Sequence, residues 1–217
     1  MGMIISGAVI TADIVNSSLL GTANVNRLAE RLKDLINANQ AKFLSFYRGD
    51  SFQSYIVDPY PAYKLALQMR TETKLFQTEA PEIETDLKIS LGIGGIDIPV
   101  TNINNAMGEA FVMSGRGLDE FEKTGRKFII KSENSTVNVA LESISVFTDY
   151  LFSDLTIKQA EVLQHLLNNR TQIEIAKILK KSQSTINRHV QALGWGEMEH
   201  LLDIYHQCIQ KITQPDG

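Results

Sequence analysis

The run MIISGAVITADI, residues 3 to 14, constrains this chain more than any other stretch. It is apolar almost throughout, without the alternation of a strand that has one wet face, and so reads as a central strand covered on both sides. Whatever else the chain does, it must supply those covers. Val25, Leu28, Leu32, Leu35 and Ile36 recur at helical spacing and provide one of them. Phe43 to Val57 reads as a hairpin turning at RGDS, where Gly49 and Asp50 have the turn chemistry. A helix follows DPYP, with Pro61 near its first turn and Ala62, Leu65, Ala66 and Met69 on one face. LKISLGIGGIDI is a further strand, in which Gly92, Gly94 and Gly95 imply close backbone approach. These glycines complete neither a Walker-A loop nor a G-x-G-x-x-G fingerprint. A helix over Gly108 to Lys123, the strand KFIIK and the helix STVNVALESISVFTDYLF finish the order β, α, β-hairpin, α, β, α, β, α.

From Leu155 onward the pattern changes to short helices alone, which divides the chain into an α/β domain over residues 1–152 and an all-α domain over 153–217. Thr156 with Gln159 and Thr171 with Glu174 have the spacing of capping boxes. The segment TQIEIAKILKKSQSTINRHVQALG then reads as a helix-turn-helix. Its inner faces are Ile173, Ala176 and Leu179 on one helix and Ile186, Val190 and Leu193 on the next. The outward residues Gln183, Ser184, Asn187, Arg188 and Gln191 carry donors and acceptors suited to base edges, with Lys180 and Lys181 placed for phosphates. A helical hairpin packing on another protein has the same polar outer face. From Glu197 a last helix puts Met198, Leu201, Leu202, Tyr205, Ile209 and Ile212 on one side, to close this domain or to pair two subunits.

Charge bears on the DNA reading. The net −4 lies wholly in the first 153 residues, because the remainder has seven basic and seven acidic groups. A neutral reading head has little electrostatic affinity of its own, so a homodimer spanning two half-sites is expected. Cys208 is the sole cysteine, and His165, His189, His200 and His206 lack zinc-site spacing, so neither disulfides nor structural zinc is expected. With no secretory leader pattern and no apolar run of membrane-spanning length, the expectation is a cytoplasmic protein without membrane contact.

Asp13 follows the apolar run directly, and Asp50 sits at the tip of the hairpin that would lie beside it. Two carboxylates at adjacent strand ends can hold Mg²⁺ and, through it, a polyphosphate. As local structure, the same residues read as a loop cap and a turn residue.

ADIVNS, the GDSF hairpin, the strand LGIGG and the helix GEAFVMSGRGL follow in order the layout of the class III nucleotide cyclase catalytic domain, which this chain resembles over about Met3 to Lys131. The resemblance implies a ferredoxin-like palm, metal-binding aspartates at Asp13 and Asp50 with backbone contact at Ile14, and a transition-state arginine at Arg116. Val112 stands where that family has an asparagine, and Phe46 where it has a base-recognising lysine. Over the whole chain, ADIVNS, GDSFQ, GEAFVMSGR and TQIEIAKILKKSQSTINRHVQALGW resemble the SatD family, a degenerate cyclase-like domain followed by a helix-turn-helix. The fold class implied is α+β, with a ferredoxin-like, nucleotide cyclase-like domain and a small all-α domain. The leading expectation is a DNA-binding transcriptional regulator that senses a nucleotide effector with Mg²⁺. The alternative is a Mg²⁺-dependent cyclase, transferase or hydrolase acting on a nucleoside triphosphate.

Overall fold

The computed structural model describes residues 3–47, 50–76, 83–100 and 106–214. The first part of the chain forms β1 (Met3–Ile14), α1 (Ser17–Leu20), α2 (Thr22–Ala38), β2 (Lys42–Tyr47), β3 (Ser51–Ile56), α3 (Ala62–Phe76), β4 (Leu87–Ile98), α4 (Glu109–Thr124), β5 (Phe128–Ser132) and α5 (Ser135–Ser153). This is the expected order, with a one-turn helix added at α1. Arg48 and Gly49 of the expected hairpin turn lie outside the described residues.

The strands form one sheet in the order β2-β3-β1-β4-β5, so the apolar run is its centre. β1 is antiparallel to both β3 and β4, and β5 runs parallel to β4. Alternation along β1 then sorts its side chains. Ala8, Ile10, Ala12 and Ile14 join a large apolar cluster with Leu28 and Leu32 of α2, Leu65 and Met69 of α3 and Leu141 of α5. Val9 faces the other way, with Tyr55, Ile96 and Ala110 of α4.

α4 lies unusually near the sheet because small residues meet there. A methyl group at Gly92 would overlap the Ala110 carbonyl and the Ser114 amide, and one at Gly117 would overlap the Ser90 hydroxyl. The glycines of this strand therefore serve helix packing. Beneath α4 the hydroxyls are paired: Thr11 with Ser114, and Ser90 donating to the Ser114 carbonyl at 2.6 Å. Gln53 Nε2 donates to Thr11 Oγ1 at 3.0 Å.

The remaining helices are α6 (Ile157–Leu167), α7 (Gln172–Ile178), α8 (Gln183–Ala192) and α9 (Trp195–Thr213). Both capping boxes form, at Thr156 with Gln159 and at Thr171 with Glu174, and the Ser182 side chain caps α8. The inner face of α7 differs from the expected one: Ile175 is fully buried, whereas Ile173 is 55% exposed. The cap at Thr171 starts the helix at Gln172, and only about two turns follow. Their narrow apolar face centres on Ile175 and Leu179, four residues apart, and Ile173 lies about 200° around from Ile175. Ile186, Val190 and Leu193 of the second helix are buried as expected.

α9 turns its apolar side toward α3 and α5. Tyr205 is fully buried, with its ring tilted against that of Tyr63 at 5.4 Å between centres, and donates its hydroxyl to the Pro59 carbonyl at 2.7 Å. Gln68 and Lys64 of α3 donate to Asn168 and Asn169 at 3.0 and 2.8 Å. One apolar cluster consequently runs from Ile10 in the sheet to Ile209 in α9.

Candidate functional site

The loop after β1 is held from two sides. The Ile14 amide donates to the Asp50 carbonyl at 3.1 Å, and the Val15 amide to the Asp86 carbonyl at 2.9 Å. Asn16 adopts the left-handed region at φ 59° and donates its side-chain amide to the Glu84 carbonyl at 2.9 Å. Asparagine tolerates that conformation better than most residues, which suits it to the sharp exit from the strand. α1 and α2 follow, separated by Gly21 at φ 75°.

This arrangement brings Asp13 and Asp50 to the same end of adjoining strands. Asp13 pairs across the ladder with Ser51, the residue after Asp50. The Ser51 hydroxyl donates to Asp13 Oδ1 at 2.7 Å, and the Ser17 hydroxyl donates to Asp50 Oδ2 at 2.5 Å. Among the described residues, Asp13 Oδ2 and Asp50 Oδ1 accept no hydrogen bond. Neither carboxylate has an ion-pair partner there, although Lys88 stands opposite Asp13 on β4. Both aspartates are half-buried.

Beside Asp50 is a cleft of about 340 Å³ lined by Ser17, Ser18, Gly21, Thr22, Val25, Asn26 and Asp50. Asp13 lies outside this lining, on the sheet face that α4 covers. The donor set is all oxygen, with two carboxylates and neighbouring hydroxyls. It fits Mg²⁺, a hard cation that takes one or two protein carboxylates and completes its shell with water and phosphate oxygens. Among the described residues no group of three or more His, Cys, Asp or Glu side chains is placed to hold a metal, so a Mg²⁺ ion here would rely on its ligand for further oxygens.

Arg116 sits on the solvent side of α4 with no hydrogen bond or ion pair among the described residues. One turn earlier Val112 is 48% exposed. Phe46 lies in β2, opposite Phe52.

The support under the site was missed from sequence. Arg70, 2% exposed on α3, forms a two-pronged pair with the equally buried Asp86, at 2.8 and 3.0 Å. Its third nitrogen reaches Asp149 on α5 at 2.6 Å, and its guanidinium lies 4.6 Å from the centre of the Phe152 ring. Lys127 adds a contact to Asp86 at 3.2 Å. Burial raises the Asp86 carboxyl, but the hydrogen bonds and charge of Arg70, with Lys127 behind them, outweigh it and hold Asp86 below the ordinary carboxylate range. Because the Asp86 carbonyl anchors Val15, this buried pair fixes the loop that carries the site. A signal existed in the sequence: Arg70 continues the Ala62, Ala66 spacing and so occupies the core side of α3.

On α8, Gln183, Ser184, Asn187, Arg188 and Gln191 are all exposed, as are Lys180 and Lys181 before it. Asn187 Nδ2 donates to Gln172 Oε1 of α7 at 3.3 Å. No helix of the described residues is long and apolar enough to cross a membrane.

No protein-family model and no curated protein sequence matches the chain. Among solved structures it is similar to the adenylyl cyclase CyaB from P. aeruginosa, with 17% identity and a TM-score of 0.43 over 55% of this chain and 74% of that one. It is also similar to a bacterial light-regulated adenylyl cyclase, with 15% identity and a TM-score of 0.46 over 59% and 76% of the two chains. A third is the monomeric guanylyl cyclase domain of the RhoGC fusion protein from the aquatic fungus Blastocladiella emersonii, with 17% identity and a TM-score of 0.45 over 62% and 85%.

Proposed function

We propose that the sheet end carrying Asp13 and Asp50 binds a nucleoside triphosphate through Mg²⁺. The observation that carries this reading is the pair of half-buried carboxylates at one end of the sheet, each with an oxygen left over and no ion-pair partner among the described residues. Partial burial of like charges is unfavourable, and a divalent cation reverses that. The hydroxyls of Ser18 and Thr22 and the side-chain amide of Asn26 line the adjacent cleft, where they can donate to phosphate oxygens. The order of ADIVNS, GDSF and GEAFVMSGR, which resembles the class III cyclases, supports a nucleotide as the carrier of those phosphates. Bound Mg²⁺ would neutralise phosphate charge and polarise a phosphoryl oxygen.

With Val112 where that family has an asparagine and Phe46 where it has a base-recognising lysine, the proposed role is a nucleotide-binding module with slow or no turnover. Titration of the full chain with ATP and GTP, with Mg²⁺ or with EDTA, tests it. Asp13→Ala should weaken Mg²⁺-dependent binding by about tenfold or more, the scale of one lost charge-assisted contact. Equal affinity in EDTA, or in the variant, would remove the metal from the site. Rapid formation of a cyclic or hydrolysed product would replace the module reading with an enzyme.

A second reading has its own observation: the unbroken exposed polar row on α8, behind a Ser182-capped N-terminus. It supports DNA binding, with Asn187 and Arg188 at base edges and Lys180 and Lys181 at phosphates, in a homodimeric regulator of the SatD kind. Arg188→Ala should weaken binding to DNA selected from a random-sequence pool by about 1–3 kcal/mol with the fold intact. Unchanged affinity would exclude α8 as the reading helix.

A further inference from the structure

A second cavity, of about 660 Å³, opens where α9 meets the loop between β3 and α3, well within the size range of small-molecule sites. Its walls come from both halves of the chain. Tyr60 and Pro61 lie on the sheet side, Leu166 on α6, and Trp195 and Leu202 on α9. Along α9 the lining residues Trp195, Glu199, Leu202, Asp203 and His206 recur at helical spacing, so one stripe of that helix faces the space.

The lining is aromatic and acidic together. The Tyr60 and His206 rings are 5.7 Å apart and tilted. Asp58, Glu199 and Asp203 border the same space, and among the described residues none of the three has an ion-pair partner. Glu199 and Asp203 are four apart on one helix face, where like charges repel and gain from a cation placed between them. Lys64 is the one lysine or arginine among the described lining residues, with His206 the other nitrogen base; the Lys64 amine is turned onto Asn169 Oδ1 at 2.8 Å, and burial lowers its pKa. Aromatic faces attract organic cations through their quadrupole, and carboxylates add charge-assisted hydrogen bonds to an ammonium group.

We infer that this cavity is a binding site for a small organic ammonium ligand with an apolar body, the ammonium held by Glu199, Asp203 and Asp58 and the body by Trp195 and Tyr60. Such a ligand bridges the sheet domain and α9, so its binding adds stability to their contact. The inference is independent of the Mg²⁺-nucleotide site.

Trp195 is the only tryptophan in the chain, so its fluorescence reports on this cavity directly. Full-length protein is titrated with phenethylammonium and, separately, with phenethyl alcohol, its neutral isostere. The expected result is a saturable change with the ammonium, complete below about 10 mM, and none with the alcohol. Glu199→Gln combined with Asp203→Asn should raise the Kd by about tenfold or more. Both side chains are exposed, so circular dichroism should stay unchanged, and with the repulsion between the two charges removed the unligated melting temperature should not fall. An equal response to the alcohol, an unaltered Kd in the double variant, or no saturable change at that concentration would each overturn the assignment.

Discussion

Arg70→Met is expected to lower the free energy of unfolding by about 3–5 kcal/mol, the range for breaking a buried ion pair on one side. The side chain is 2% exposed, and its loss leaves Asp86 buried with the Leu87 amide at 2.8 Å and Lys127, at 3.2 Å, as its remaining ion-pair partner among the described residues. Methionine fills much of the volume, so a large loss would measure the stranded carboxylate rather than a void. Replacing both partners, Arg70→Met with Asp86→Leu, should recover part of the loss, because the charge that is then left without a partner sits on the partly exposed Asp149 and Lys127 and no longer on a fully buried carboxylate.

The pair also sets an acid limit. In the folded chain the Asp86 carboxyl lies below its ordinary value of about 4, so its stabilisation is fully present above that pH and is lost as pH falls through the lowered folded value. In Arg70→Met the burial that raises this carboxyl loses its main opponent, and the acid-induced loss moves to higher pH. Urea unfolding at neutral pH and again near pH 4 reads both effects. Equal stability of the two proteins at neutral pH would show that the network contributes nothing.

Gly92→Ala should cost about 3 kcal/mol, at the upper end for overpacking, because the added methyl meets helix backbone rather than a side chain that can swing aside. α4 must then move off the sheet, which breaks the buried hydroxyl pairing of Thr11 with Ser114 two residues from Asp13. Mg²⁺-dependent nucleotide binding should weaken with it. Gly115→Ala on the same helix is the control, since nothing lies within 4 Å of a methyl there. It should stabilise by about 0.5–1 kcal/mol through helix propensity alone. If both variants melt together, the close approach of α4 to β4 is wrong.

Much of the site was legible because it is built locally. Asp13 ends an apolar strand and Asp50 stands at a hairpin tip, so strand period and turn chemistry suffice to put them at one sheet end. Arg116 was legible only as a motif position; helix period leaves it on the solvent side of α4, and nothing within the helix directs it toward the aspartates. Arg70 escaped notice because a charged residue reads as surface unless its partner is known. That partner lies sixteen residues away, across a connection with no periodic pattern of its own.

What the sequence determined by itself is what short-range chemistry controls. The buried central strand, the order of the elements, both capping boxes and the glycine-lined seat for α4 all follow from period, cap and turn residues within a few positions of one another. Tertiary structure alone decided that Ile175 rather than Ile173 turns inward, that Arg70 is paired, and that α9 packs against α3 and α5 and encloses a cavity at the junction. The reason is physical: each of these outcomes depends on which distant surface covers an apolar or charged face, and no periodicity along one segment identifies that surface.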